Sequence, residues 1–310
     1  MLPQNEDRVE TMLLAAQELD RWLLDIARQG LAKLQERDTH YFENIAARLV
    51  DLKMGTIARR IRSFSSKKNQ EQWRQLLSNE IADLYLFTQR FLHIHELQES
   101  EQLDLLQQAG WNAPKKDILA NQEALEDRWI VLGQAFGMEE RIRYRRTWIW
   151  GEKTQRAALI LDFAWGNQDF EGIFSLGQGF YAKLRFYPGT KSFRALVSDI
   201  DLKDQHFARL EGQGDLEAFI FSYAKTLGEM PGLLEFPALL KEVVPFRKAD
   251  QFFIADKNGY YLPLDLSLTT SWNLLATSGG FPILLFGTWN GQGFKVLSMI
   301  QDRRVIDLTK

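Results

Sequence analysis

The sequence predicts an α+β protein, an N-terminal helical bundle over residues 1–122 followed by a mostly antiparallel β domain with a few helices over residues 123–310. Three observations carry that expectation. Apolar residues recur at three and four through the first hundred positions. The cluster Gly110, Asn112 and Pro114 then interrupts the helical period. Beyond it the chain turns to short β-branched and aromatic runs separated by turn dipeptides. At 310 residues the chain exceeds the roughly 250 to 300 at which one core stops growing, which also favours two domains.

From Val9 to Leu34 the positions Met12, Ala16, Leu19, Leu23 and Ile26 form one stripe, so a first long helix is expected there. Asp38 and Thr39 offer cap oxygens for a second helix carrying Phe42, Ile45, Leu49 and Leu52, which Gly55 ends or bends before Ile57, Ala58 and Ile61 resume the pattern. After the polar break at Ser65-Ser66-Lys67-Lys68-Asn69, Trp73, Leu77, Ile81, Leu84, Phe87 and Phe91 mark a third long helix. A shorter helix follows from Ser100 to Gln108, and a last helical piece from Lys115 to Ala124.

Strands are expected at Trp129 to Phe136, Arg141 to Trp150, Ala157 to Trp165, Phe180 to Tyr187 and Phe193 to Ile200, read as an antiparallel meander. Gly166-Asn167, Pro188-Gly189, Asn258-Gly259 and Asn290-Gly291 supply turns, the last two as hairpins. Leu216 to Leu227 reads as an amphipathic helix with Phe219, Ile220 and Tyr223 inward and Gly228 at its end, and Ser271 to Thr277 as a short helix closed by Gly279-Gly280.

A net charge of −3 argues against a dedicated nucleic-acid binder, and zero cysteines exclude disulfides, thiolate catalysis and any Cys-containing zinc site. The N-terminus lacks the basic segment and apolar run of a secretory signal, and no stretch approaches the roughly 18 apolar residues of a membrane span. A cytoplasmic location without membrane contact is therefore expected.

The most chemically distinctive stretch is Arg141 to Lys153. At a strand's period of two, Arg141, Arg143 and Arg145 point one way, while Tyr144, Trp148 and Trp150 point the other with Arg146 among them. Cations and aromatics together suit single-stranded nucleic acid. Their separation onto opposite faces fits a one-sided sheet better, with aromatics in the core and arginines meeting solvent or carboxylates. The second basic run, Arg59-Arg60-Ile61-Arg62 with Lys67-Lys68, reads as the cationic end of a helix whose buried face carries Ile57, Ile61 and Phe64.

Catalytic patterns are weak. Asp199 to His206 gathers oxygen ligands and an imidazole but fails the calcium-loop spacing, with Asp204 where glycine is needed and Leu210 where the last carboxylate is needed. His93 and His95, two apart, cannot share a metal on a helix, and His40 and His206 lack a serine nucleophile motif. Gly177-Gln178-Gly179 opens no helix, and Glu139-Glu140 reads as a solvated loop pair. No cofactor or metal is expected. A hydrolase using carboxylates near Asp199 or Glu139 ranks third among the functional classes.

The phrases Trp22-Leu23-Leu24-Asp25, Ala46-Ala47-Arg48-Leu49-Val50-Asp51, Asp127 to Gln134, Arg146 to Glu152, Phe186-Tyr187-Pro188-Gly189 and Ser278-Gly279-Gly280-Phe281-Pro282 together resemble the region that follows the zinc finger in bacterial SWIM zinc-finger proteins, over about Leu19 to Met299. The finger's C-x-C and C-x-H ligands have no counterpart in a chain without cysteine, so zinc binding is not carried over. Either the chain is the downstream portion of such a protein or it is a relative that lost the finger. The resemblance implies an accessory role beside AAA-type ATPases and von Willebrand A-domain proteins. The leading expectation is accordingly a non-enzymatic protein-interaction module, an adaptor, whose partner-binding residues are Arg141, Arg143, Arg145 and, where exposed, Trp148, with Arg59 and Arg60. The alternative is a weak nucleic-acid binder using the strand at residues 141–150.

Overall fold

The computed structural model describes residues 6–68, 70, 72–139, 142–166, 168–170, 172, 174–202 and 210–309. The expected fold class is the observed one, helices first and antiparallel sheets with a few helices after them. Contacts divide the chain into two units, Met1–Ala113 with Pro188–Thr190, and Pro114–Tyr187 with Lys191–Lys310. The division falls before the expected position near residue 122, because the helix Lys115–Asn121 packs beside strands of the second unit.

The first unit is a helical bundle. Helix α1 (Glu6–Gln29) buries Val9, Met12, Ala16, Leu19, Leu23 and Ile26 on one stripe. It stops short of the expected Leu34 because Gly30 takes the left-handed conformation (φ +84°) and donates its N–H to the Ile26 carbonyl at 2.8 Å. A separate short helix, α2 (Ala32–Glu36), follows. Helix α3 (Thr39–Asp51) is capped by the Asp38 carboxylate, which accepts from Tyr41 N at 2.9 Å. The left-handed residue that ends this pattern is Lys53 rather than the expected Gly55, which instead opens α4 (Gly55–Arg62). The expected polar break is itself partly helical, α5 (Phe64–Lys67). Helices α6 (Trp73–Leu92) and α7 (Glu99–Ala109) complete the bundle around a core that includes Met12, Leu19, Phe42, Leu49, Ile57, Phe64, Leu77 and Phe91.

The second unit opens with α8 (Lys115–Asn121) and contains two antiparallel sheets. The first comprises β1 (Leu125–Glu139), β2 (Ile142–Gly151), β3 (Ala157–Trp165), β4 (Gly179–Phe186) and β5 (Ala195–Asp201). Their spatial order is β3-β2-β1-β4-β5, so the expected meander is interrupted. The connection from β3 to β4 crosses one face of the sheet and brings Phe170 and Phe174 over it, which leaves β4 to pair with β1. The sheet curls until the start of β3 reaches the approach to β5, where Leu159 N donates to Phe193 O at 2.7 Å.

The second sheet comprises β6 (Phe236–Lys248), β7 (Gln251–Ala255), β8 (Tyr261–Pro263), β9 (Ile283–Trp289), β10 (Phe294–Gln301) and β11 (Arg304–Asp307), in the order β11-β10-β9-β6-β7-β8. Helix α9 (Leu216–Glu229) runs through Gly228, the expected stop, and packs Leu216 and Phe219 into the core of this sheet. Helix α10 (Leu268–Ser278) ends as expected at the left-handed Gly279. In the two expected hairpins only Gly259 and Gly291 take positive φ, while side chains brace the turns. The Asp256 carboxylate accepts from Asn258 N and Tyr260 N, and the Asn290 amide oxygen from Gln292 N and Gly293 N.

Between the two sheets lie Ile130, Leu132, Trp148, Leu239, Phe286, Leu297 and Ile300. The opposite face of the first sheet buries Trp129, Val131, Ile149, Ile160, Phe174 and Phe180. Both faces of β2 are thus covered near its centre, where the alternation rule expects one of them to meet water.

Candidate protein-binding cleft

Strand β2 carries most of the residues that the sequence singles out. Arg141 lies outside the described residues. Arg143 donates from Nε to the Gly166 carbonyl at 3.1 Å and from Nη2 to the Gln168 carbonyl, with its guanidinium 5.5 Å from the Phe170 ring centre. Arg145 is only 6% exposed. Its Nη2 lies 2.7 Å from Asp162 Oδ2 and 2.5 Å from the Gly172 carbonyl, and its guanidinium sits 4.9 Å from the Phe170 ring and 5.4 Å from that of Phe174. Sequence alternation places these arginines on one face and expects solvent or carboxylates there, and Arg145 does meet the Asp162 carboxylate. The β3–β4 connection covers that face in place of solvent, so the guanidiniums satisfy carbonyls and stack on rings.

Trp148 is buried on the other face, 6.2 Å from the Phe193 ring, and is therefore a core anchor rather than an exposed one. Arg146, on the same side, binds both carboxylate oxygens of Glu235.

The face that holds Arg145 continues into an open cleft of about 920 Å³. One wall is β1, with Gln134, Ala135 and Phe136, and the other is β10, with Lys295, Val296 and Leu297. Phe174 joins the arginine cluster to the cleft, since it stacks under Arg145 and also lines the opening. Gln134 fixes that ring's backbone by donating from Nε2 to Phe174 O at 2.8 Å.

The hydrogen-bonding edge of β1 faces this space. Leu159 N points away from β2, so Ala158 and Ile160 exchange bonds with Ile149 and Thr147. The alternate residues Trp148, Arg146 and Tyr144 then bond to Gly133, Ala135 and Gly137. That parity turns the backbone N–H and C=O groups of Gln134, Phe136 and Met138 away from β2. Strand β4 covers β1 only from Leu125 to Ile130, and among the described residues no backbone group pairs with these three. Phe136 and Met138 are 66% and 73% exposed beside that edge. Sequence periodicity identifies this strand without showing that its second half, among the described residues, has β2 on one side and no strand on the other, because the length of β4 and the path before it are tertiary properties.

The family model described as SWIM-associated four-helix bundle domain matches residues 7–109. Residues 7–109 are thus similar to that four-helix bundle domain. The match accords with the resemblance to the region that follows the SWIM zinc finger and ends before the β-rich unit begins. No curated protein and no solved structure matches the chain.

Within the helical bundle, the basic run on α4 is interleaved with carboxylates. Arg60 donates to Glu80 Oε2 at 3.0 Å and lies 3.9 Å from Asp83, Lys67 reaches Glu80 Oε1 at 2.6 Å, and Arg62 reaches Glu43 at 2.7 Å. Arg59 donates to Thr56 Oγ1 at 3.3 Å. Burial pushes the Glu80 carboxyl upward, but the hydrogen bond from Lys67 and the charge of Arg60 outweigh it and hold the group below its ordinary value. Arg59 and Arg60 thus belong to a different unit from the β2 arginines, and Arg60 acts as a helix-to-helix tie between α4 and α6. His93 Nδ1 lies 2.9 Å from the Gln89 carbonyl and His95 3.3 Å from Glu10. Among the described residues no group of three or more His, Asp or Glu side chains could hold a metal ion, and no helix is long and apolar enough to cross a membrane. Asp199 stands in β5, within the strand expected over Phe193 to Ile200, 3.6 Å from Lys183, while His206, like Glu140, lies outside the described residues.

Proposed function

We propose that the chain is a non-enzymatic accessory module, an adaptor, whose β-rich unit holds an extended segment of a partner protein in the cleft beside β1. The observation that carries this reading is the row of backbone groups at Gln134, Phe136 and Met138 that are unpaired among the described residues, along a cleft of about 920 Å³ and next to two highly exposed apolar side chains. A partner strand would satisfy the backbone row by strand addition, and its alternate side chains would meet Phe136, Phe174 and Leu297. Arg143 and Arg145 contribute indirectly, as braces of the connection that shapes one end of the cleft. The resemblance to SWIM proteins makes an AAA-type ATPase or a von Willebrand A-domain protein the partner to look for.

The nucleic-acid alternative has less to stand on, because Arg143 and Arg145 already serve carbonyl oxygens and Asp162. Affinity purification from a native lysate, with and without nuclease, tests both readings when run beside a Phe136→Asp, Met138→Asp variant. Specific proteins retained through nuclease by the wild type and lost by the variant are expected. Equal retention by both would overturn the cleft, and recovery abolished by nuclease would favour the nucleic-acid reading.

A further inference from the structure

The edges of the two sheets are guarded unequally. Strand β11 is four residues long and carries Arg304 and Asp307, β8 is three residues long and ends in Pro263, and β5 presents the exposed acids Asp199 and Asp201. Short length, charge and proline are the usual devices that keep an edge from pairing with another chain. Strand β3 lacks all of them. It runs for nine residues, AALILDFAW, and its one charge, Asp162, is bound by Arg145 of the neighbouring strand.

Both ends of this edge are occupied, the beginning where Leu159 donates to Phe193 O and bridges in parallel to Arg194, and the end where the Trp165 carbonyl accepts from Gln168 N at 3.0 Å. The same parity that points Leu159 N outward points the backbone groups of Leu161, Phe163 and Trp165 outward. Among the described residues the N–H groups of Leu161 and Phe163 have no backbone partner. The side chains of Phe163 and Trp165 stand beside the open edge, 52% and 61% exposed.

We infer that a second copy of this chain pairs with this edge, β3 against β3 in antiparallel fashion about a two-fold axis at Phe163. The strand is self-complementary in that register. Phe163 meets its own symmetry mate as a hydrogen-bonded pair through outward-facing backbone groups, and Leu161 stands opposite Trp165 on either side, where the Trp165 N–H donates to the Leu161 carbonyl while the Trp165 carbonyl keeps its bond from Gln168 N. Asp162 falls opposite Ala164, so no like charges are opposed. Phe163 and Trp165 project from the same face, so the pairing also joins Phe163 to Phe163 and Trp165 to Leu161 side by side, as cross-strand apolar pairs. Two five-stranded sheets become one continuous sheet, and the cleft along β1 remains open in each copy. The inference goes beyond the adaptor reading and uses a different edge.

Sedimentation velocity on the full chain across a range of concentrations tests it. A reversible dimer is expected. Phe163→Lys, at an exposed site, places two ammonium groups at the axis and should weaken dimerisation by about tenfold or more, with circular dichroism and melting unchanged. Mixing Phe163→Lys with Phe163→Glu should restore dimers, which a merely damaged fold would not do. Hydrogen exchange at the Leu161 and Phe163 amides should slow as concentration rises. A chain that stays monomeric at all concentrations, or dimers indifferent to Phe163→Lys, would overturn the inference.

Discussion

Arg145 and Asp162 face one another across β2 and β3, and the guanidinium group that reaches the carboxylate at 2.7 Å also holds the Gly172 carbonyl. Truncating Arg145 to alanine leaves the largely buried Asp162 carboxylate without its cation. Arg145→Ala should cost about 3 to 5 kcal/mol in urea unfolding. The double variant Arg145→Met, Asp162→Leu should recover most of that loss, because no uncompensated charge remains. A single variant as stable as wild type would show that the pair is not desolvated as the structure has it.

Ser298 donates its buried hydroxyl to the Leu132 carbonyl, a bond from β10 of one sheet to β1 of the other. Ser298→Ala leaves that carbonyl without its partner in an apolar layer. A loss of about 1 to 3 kcal/mol is expected, measured by chemical denaturation.

Gly287 lies in the middle of β9, where a Cβ would press on the Lys295 carbonyl and come within 2.9 Å of the Phe294 ring. Backbone cannot step aside as a flexible side chain can. Gly287→Ala should therefore destabilise by about 1 to 3 kcal/mol and distort β10, one wall of the cleft, so that partner capture weakens together with the melting temperature.

Glu80 gives the bundle a pH dependence of definite sign. Burial raises its pKa, and Lys67 and Arg60 more than reverse that, leaving it below the ordinary 4.5. A depressed folded-state value contributes stability that is present above about pH 4.5 and is lost as pH falls through the folded value. The stability difference between wild type and Glu80→Gln should thus be largest near neutrality and shrink below pH 4.5. A difference that stayed constant from pH 7 to pH 3 would contradict the ion-pair arrangement.

The bundle was largely legible in the sequence because its stripes are local. Met12, Leu19, Leu77 and Phe91 announce their buried faces at spacings of three and four, and the helices form where those spacings run. What escaped were changes of backbone sign, since Gly30 breaks a continuous apolar stripe and Lys53 does a glycine's task beside Gly55. In the β-rich unit β6 has no clean alternation, interrupted as it is by Lys241, Glu242 at positive φ and Pro245. The cleft was not legible at all. It exists because β4 stops pairing at Ile130 while β1 continues to Glu139, a mismatch between strands some fifty residues apart that no periodicity encodes.

The connection between β3 and β4 is fastened in an unusual way for a segment that shapes one end of a cleft. Gly166, Gln168, Gly172 and Phe174 each offer a carbonyl oxygen, received by Arg143, Arg145 and Gln134. Every residue type has a carbonyl. Positions such as Gln168 and Asp169 can therefore change identity without loosening these fastenings, so long as the chain keeps its course. Variation along that border of the cleft can accumulate over evolutionary time while the sheet beneath stays the same.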